Sequence, residues 1–264
     1  MSNVNLENLD KLGNSSLLKV DFSHNKISKI PLETFDDLVK LKFLDIGYNI
    51  ISVLQGSEFK HLTSLTELRL NFNQLKEIPS NCFDGLANLQ NLDLSYNYLE
   101  LIDGFEYLTN LQKLSLQGNE LKTVPSNLAL PNSLRFLDVS KNPLTFLGQN
   151  TFRNLNQLTS LDISSTNGTY INFGRECLRP LTSLKSLKFT NNQLSNLEDL
   201  YLPGSLEELS LEFNKILKIT SKGVENLVNL KYLNLSYNHM YYFEDGVMEQ
   251  LSNIRKLDLS GNDL

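Results

Sequence analysis

Apolar and polar positions along this chain repeat in a unit that returns every 22 to 26 residues. The unit follows the pattern LxxLxLxxNxL, as in LTELRLNFNQL at 65–75 and LQNLDLSYNYL at 89–99. Eleven copies, the last one shorter, begin at Leu17, Leu41, Leu65, Leu89, Leu111, Leu134, Leu158, Leu184, Leu206, Leu230 and Ile254. A period of this length predicts a solenoid in which each repeat stacks on its neighbours.

The centre of each repeat alternates with a period of two, which predicts a short β-strand with one face inward. In the first copy, Val20 and Phe22 are expected inside, whereas Lys19, Asp21 and Ser23 face outward. The rest of each repeat, about 15 residues, has the length that a crossover to the next parallel strand needs. The pattern therefore predicts a parallel sheet.

One asparagine column follows the strands, and only Thr166 interrupts it. An Asn amide carries donors and an acceptor, so it can bond backbone groups of its own turn and of the next turn. We interpret this column as structural and not as a substrate site. Its members are Asn25, Asn49, Asn73, Asn97, Asn119, Asn142, Asn192, Asn214, Asn238 and Asn262.

A second column lies on the returning side of the repeats and carries large apolar residues. Stacked rings in successive repeats would form an apolar spine there. Its predicted members are Phe35, Phe59, Phe83, Phe105, Phe152, Val224 and Met248.

The 24-residue period, the LDLSYN core at 92–97 and the FxxL close at Phe35–Leu38, Phe59–Leu62 and Phe83–Leu86 resemble the typical class of animal leucine-rich repeats. That class is found in Toll-like receptor ectodomains, insect adhesion proteins and small secreted proteoglycans. The resemblance implies an α/β solenoid: a leucine-rich-repeat horseshoe with a curved parallel β-sheet on the concave face. Irregular, 3₁₀ or short helical returns would form the convex side. We predict one domain over 1–264, with 1–16 as a partial N-terminal repeat.

The resemblance also implies extracellular macromolecular recognition, as part of a Toll-like or adhesion-type receptor in innate immunity or cell signalling. Such ectodomains usually end in cysteine-rich caps, which this sequence lacks, so we expect a fragment of a longer receptor. The alternative is an intracellular leucine-rich-repeat scaffold for protein–protein interactions, favoured by the absence of a secretion signal. Three Asn-x-Ser/Thr sequences favour the extracellular reading and are candidate glycosylation sites: Asn14, Asn167 and Asn234.

Composition and charge narrow the function further. The chain has 264 residues with 55 Leu and 32 Asn, and 24 basic against 30 acidic residues give a net charge of -6. This balance argues against nucleic-acid binding, and no apolar run is long enough for membrane insertion. No catalytic, nucleotide-binding or metal-binding motif occurs, so we predict neither an enzyme nor a cofactor.

The two cysteines, Cys82 and Cys177, exclude a disulfide scaffold and a four-cysteine metal site. They lie four repeats apart. At about 4.8 Å per repeat, their separation is roughly 19 Å or more, beyond the reach of a disulfide. They are therefore expected to remain unpaired within one chain.

Outward strand positions are the expected binding surface of such a solenoid. Phe43, Tyr48, Arg69, Phe72 and Tyr96 cluster within repeats 2–4, and aromatic and Arg side chains are frequent interface anchors. We predict that a protein or other macromolecule binds there, and that a parent receptor would form homo-oligomers. Six of the eleven middle outward positions are Asp, Asp93 among them. They are interpreted as solvated, with an acidic stripe for a basic partner as the alternative.

Overall fold

The computed structural model describes residues 4–105, 107–124, 130–166, 168 and 170–264. It divides into two compact units: Met1–Leu121 with Leu128–Leu134, and Lys122–Asn127 with Arg135–Leu264. The single domain over 1–264 stays a prediction.

The first unit contains five parallel strands of three residues each. Neighbouring strands pair with a shift of one whole repeat, so that Lys19 lies opposite Phe43 and Val20 opposite Leu44. This register matches the repeat alignment read from the sequence. The strands are β1 (Lys19–Asp21), β2 (Phe43–Asp45), β3 (Glu67–Arg69), β4 (Asn91–Asp93) and β5 (Lys113–Ser115).

The second unit repeats this arrangement and adds short elements on the returns. Its main parallel strands are β6 (Phe136–Asp138), β8 (Ser160–Asp162), β10 (Ser186–Lys188), β11 (Glu208–Ser210), β13 (Tyr232–Asn234) and β15 (Lys256–Asp258). Two small parallel pairs join β7 (Phe146–Leu147) to β9 (Asn172–Phe173), and β12 (Lys218–Ile219) to β14 (Tyr242–Phe243). The helices are the 3₁₀ helix η1 (Leu197–Leu200), α1 (Ser221–Val224) and α2 (Val247–Gln250). The predicted solenoid of parallel strands with 3₁₀ and short helical returns is confirmed.

The core consists of the inward strand residues and the rings of the return column. Phe35 and Phe59 are buried and stacked with ring centroids 6.2 Å apart, and Phe83 lies 5.6 Å from Phe105. The prediction for Met248 is wrong, because 49% of this residue is exposed. Helix α2 instead turns Val247, the preceding residue, into the core.

The asparagine column bonds the backbone of two turns, and Asn97 shows the pattern. Its Nδ2 donates to the carbonyls of Leu94 (3.1 Å) and Leu70 (3.0 Å), while its Oδ1 accepts from the Leu75 N–H at 3.0 Å. The second turn is therefore the preceding repeat and not the next one. At Thr166 the hydroxyl donates to Asn192 Oδ1 at 2.8 Å, which joins that position to the column.

A second asparagine column, which the sequence reasoning missed, holds the return side together. Each member lies just before the first apolar residue of a repeat. Its side-chain amide donates to a carbonyl in the preceding return, as Asn88 does to Thr63 at 2.9 Å and Asn229 to Gly204 at 2.8 Å. Asn110 and Asn253 make the same bond to Ala87 and Val228. These contacts give a structural reason for part of the asparagine excess.

Both cysteines are free, as the repeat spacing predicts, and the structure shows that both are buried. Burial raises the pKa of the Cys177 thiol to about 12. Burial, together with the charges of Glu58 and Asp84, also raises the pKa of the Cys82 thiol.

We expect neither thiol to react with a disulfide reagent such as DTNB at pH 8 while the chain is folded. The thiolate is the reactive form, and both burial and the raised pKa suppress it. Absorbance should reveal two thiols only after denaturant is added. Rapid reaction of one thiol in buffer would contradict its burial.

Candidate partner-binding surface

The residue just before each column asparagine lies in the left-handed region of backbone space. In the first unit φ is +55° at His24, +55° at Tyr48, +52° at Phe72 and +53° at Tyr96, and +68° at Gly118. Glycine adopts this conformation without penalty, whereas an ordinary L-residue pays about 1–2 kcal/mol. Aromatic residues at these positions are therefore strained.

Four of these rings stack into one continuous row, which we call the ring ladder: His24, Tyr48, Phe72 and Tyr96. Successive ring centroids lie 4.1, 4.3 and 4.3 Å apart, with interplanar angles of 16° or less. The repeat spacing of a parallel sheet brings the rings to this distance. Each aromatic contact contributes about 0.5–1.5 kcal/mol, which offsets part of the strain. The sequence had identified three of these residues but not His24.

The ladder ends at a glycine. A Cβ at Gly118 would lie 2.8 Å from the Tyr96 ring, so the ring packs directly on that backbone. The second unit repeats this device with Phe213 and Tyr237, whose stacked centroids are 4.7 Å apart. There Gly261 ends the row, and a Cβ added at this glycine would again lie 2.8 Å from the Tyr237 ring.

The ring ladder forms part of an exposed apolar ridge. Tyr48 is 42% exposed and Phe72 37%, and Tyr96 is half-buried. Beyond the asparagine column, Ile50 and Tyr98 are also exposed. Because the ring faces contact one another, the ridge presents ring edges and aliphatic groups to solvent.

The other two predicted anchors, Phe43 and Arg69, lie on the outward face of the strands. Lys19 Nζ and the Arg69 guanidinium lie 4.3 and 5.1 Å from the centre of the Phe43 ring. Arg69 also pairs with Glu67 at 2.6 Å and Asp45 at 3.5 Å. The predicted cluster therefore divides into the ring ladder and a charged group whose members already contact one another.

The outward aspartates are partly exposed and also take part in turn formation, as Asp93 shows. Its Oδ1 accepts hydrogen bonds from the Ser95 N–H at 3.0 Å and from the Ser95 hydroxyl at 2.6 Å. Asn234 replaces the aspartate in β13 and accepts the same two bonds from Ser236 at 3.0 and 2.7 Å. A neutral amide oxygen thus serves this turn as well as a carboxylate.

We expect Asp138→Asn to stabilise the fold at neutral pH by about 0.5–1 kcal/mol, the size of a cross-strand charge contact. Burial, with the facing carboxylate of Asp162, raises the pKa of Asp138, and an asparagine keeps the bonds to Ser140. A raised folded-state pKa means that the native chain gains stability as pH falls and Asp138 is protonated. Urea midpoints at pH 7 should therefore favour the variant, and the difference should disappear at acidic pH. A less stable variant at pH 7 would contradict this assignment.

The three candidate glycosylation sites differ in their surroundings. Asn14 is exposed, and its Oδ1 accepts from the Ser16 hydroxyl at 2.6 Å. Asn234 is half-buried in β13 on the outward strand face. Asn167 lies outside the described residues. Glycosylation of all three stays a prediction.

Within the part of the chain that the structure describes, no three metal-binding side chains are grouped as they would be around an ion. Across the same residues, no helix has both the length and the apolar character needed to cross a bilayer.

The repeats, the asparagine column and the parallel sheet define a class, and the chain belongs to the leucine-rich-repeat family. It matches the "Leucine rich repeat" family over residues 15–75, 42–99, 63–121, 132–194 and 204–264. The predicted family resemblance is confirmed. The prediction that the chain is not an enzyme is also confirmed, because this family and the relatives below are recognition proteins.

Among known proteins, the chain is similar to human Toll-like receptor 8, with 32% identity over 149 residues, covering 48% of this chain and 14% of the receptor. Chicken lumican is 32% identical over 138 residues, covering 51% of this chain and 39% of lumican. Rat decorin is 27% identical over 117 residues, covering 44% and 33%. The chain thus spans well under half the length of these curated relatives.

Solved structures share the fold. A chain of the octameric complex of Latrophilin 3, Unc5D and FLRT2 gives a TM-score of 0.80 at 23% identity, over 98% of this chain and 79% of that one. The leucine-rich-repeat domain of APL1B gives 0.79 at 22% identity, over 99% and 74%. The Drosophila Toll–Spatzle complex gives 0.73 at 22% identity, over 98% and 40%.

Proposed function

We propose that this chain is an extracellular recognition module of a Toll-like or adhesion-type receptor, and that the ring ladder docks a protein partner. One observation supports the docking site: exposed rings occupy left-handed positions at which the turn itself does not require a ring. The same position holds Gly118 in the first unit and Lys141 and Asn191 in the second. Strain of this kind is retained where surrounding structure or function compensates for it.

The ring ladder has the composition of a protein-binding surface. Interface anchors are enriched in Tyr and Phe, and stacked rings lose little side-chain freedom on binding. The residues that precede the four rings along the chain, Ser23, Gly47, Asn71 and Ser95, are uncharged. Binding at the ladder should therefore depend weakly on salt, because charge steering needs charged neighbours.

The relatives support the extracellular part of the proposal. One is named as a receptor, and structural neighbours include a chain from the Toll–Spatzle complex and one from the Latrophilin 3, Unc5D and FLRT2 assembly. The intracellular scaffold alternative receives no comparable support. A role in innate immunity, glycosylation and homo-oligomer formation are further parts of this proposal.

The test replaces Phe72 and Tyr96 together by asparagine, which tolerates the left-handed conformation and removes both rings without adding strain. The wild-type chain is first screened as a multimer against a library of secreted and cell-surface ectodomains. We expect the double variant to lose at least tenfold in affinity for the partner found, about 1.4 kcal/mol.

The matched control is Phe213→Asn with Tyr237→Asn, which removes the corresponding rings of the second unit. We expect this control to keep the affinity of the wild type. Circular dichroism of both variants must be unchanged. Equal affinity of the ladder variant and the wild type would place the partner elsewhere.

A further inference from the structure

A cavity of about 580 Å³ opens on the return side of the second unit, and we call it the return cavity. Its walls come from the returns of three successive repeats, the seventh to the ninth. These repeats are 26, 22 and 24 residues long, beginning at Leu158, Leu184 and Leu206. A short return between longer neighbours leaves space that a stack of equal repeats would fill.

Repeat length alone does not make the cavity. The fourth repeat, which begins at Leu89, is also 22 residues long, but its return carries the buried ring of Phe105. The corresponding position of the eighth repeat, sixteen residues after Leu184, holds Leu200, a smaller buried side chain at the end of helix η1. Because no ring fills the space there, the cavity remains open.

The return cavity combines an apolar lining with one aromatic side chain. Leu197, Leu202, Pro203 and Leu227 are buried residues that line it. Tyr201 also lines the cavity and is 44% exposed. Its backbone is in the left-handed conformation at the end of η1, with φ 47° and ψ 56°. This strained aromatic residue is not part of the ring ladder.

The charged groups of the cavity are unevenly placed. Glu176 and Glu198 have 30% and 27% of their side chains exposed, whereas their partners Arg179 and Lys222 have 73% and 72% exposed. The pair distances are 2.7 and 3.0 Å. With Glu225, three carboxylates line the cavity against two cations. The carboxylates are the more buried partners and the cations extend into solvent.

We propose that the return cavity binds an arginine side chain on an exposed loop of a protein partner. The apolar stem of arginine would pack on the leucines, and its planar guanidinium would stack on Tyr201 and bond the carboxylates of Glu176 and Glu198. Arg179 and Lys222 are exposed enough to move away when the new cation enters. An acidic side chain would instead meet the three carboxylates. This site is separate from the ring ladder and does not depend on it.

The experiment uses the whole ¹⁵N-labelled chain and three blocked pentapeptides: Gly-Leu-Arg-Leu-Gly, and the same peptide with citrulline or glutamate at the centre. Citrulline has the shape of arginine but no charge. We expect saturable NMR shifts at the amides of Gly204 and Gly223 with the arginine peptide. The citrulline peptide should bind at least tenfold more weakly.

The matched variants separate the site from general surface charge. Glu176→Gln with Glu198→Gln should weaken the arginine peptide at least tenfold, and glutamine keeps an oxygen for the bond from Thr220 to Glu198. Glu249→Gln changes an exposed carboxylate that does not line the cavity, and should leave binding unchanged. The proposal is overturned by equal binding of arginine and citrulline peptides or by preference for the glutamate peptide. It is also overturned if no saturable shifts occur up to about 10 mM arginine peptide, a concentration above a dissociation constant of about 1 mM.

Discussion

Replacing Asn97 by alanine should lower the free energy of unfolding of the first unit by about 3 kcal/mol. The side chain is 4% exposed, and its amide bonds the backbone of two repeats. Alanine would leave the carbonyls of Leu70 and Leu94 and the N–H of Leu75 without this partner, and each such buried group costs about 1–3 kcal/mol. Urea denaturation and amide hydrogen exchange should both report the loss.

Asp93→Asn is the matched control, because it lies four residues before Asn97 and also changes a hydrogen-bonding side chain. Its amide oxygen can still accept from Ser95, as Asn234 does from Ser236. We expect a loss below about 0.5 kcal/mol, as for most substitutions away from buried groups. Hydrogen exchange should accelerate most in the third and fourth repeats for Asn97→Ala, because coupling in a solenoid runs between neighbours. Similar losses for both variants would contradict the assignment of inward and outward positions.

Phe83→Ala should cost about 3–5 kcal/mol, the usual range for removing a buried ring from a close-packed core. The residue is 0% exposed and packs against Phe105 at 5.6 Å. The substitution would leave a cavity between the returns of the third and fourth repeats. A lowered urea midpoint and a lower melting temperature would show the loss.

Met248→Ala is the comparison that tests the corrected spine. The pattern had placed Met248 with Phe83 in one column, but 49% of Met248 is exposed. We therefore expect its removal to cost less than about 1 kcal/mol, while Val247→Ala should cost more. A large loss at Met248 and none at Val247 would restore the original column.

The sequence by itself determined the repeat, the strands and their register. The alternating pattern at Val20, Phe22 and their equivalents leaves only one face that can be buried, and the repeat length fixes which residues meet across the sheet. The asparagine column could be predicted because an amide can serve a donor and an acceptor at once. Family membership follows from the same regularity.

Tertiary structure decided the details in which repeats contact one another. The sequence shows Tyr48, Phe72 and Tyr96 in a column, but the left-handed backbone, the stacking and the inclusion of His24 appear only when the repeats are stacked. Likewise, the ion pair between Arg69 and Asp45 depends on the neighbouring strand, because the two residues lie opposite each other in β3 and β2.

The remaining differences between the sequence-based predictions and the structure lie in the returns of the second unit. The shift from Met248 to Val247 follows from a single helical turn, which no strand period predicts. The return cavity arises because a 22-residue repeat without a spine ring lies between longer ones. The repeat pattern specifies the features that every repeat shares. Packing between returns of unequal length depends on how side-chain volumes fill the space between them, which the pattern of apolar positions does not specify.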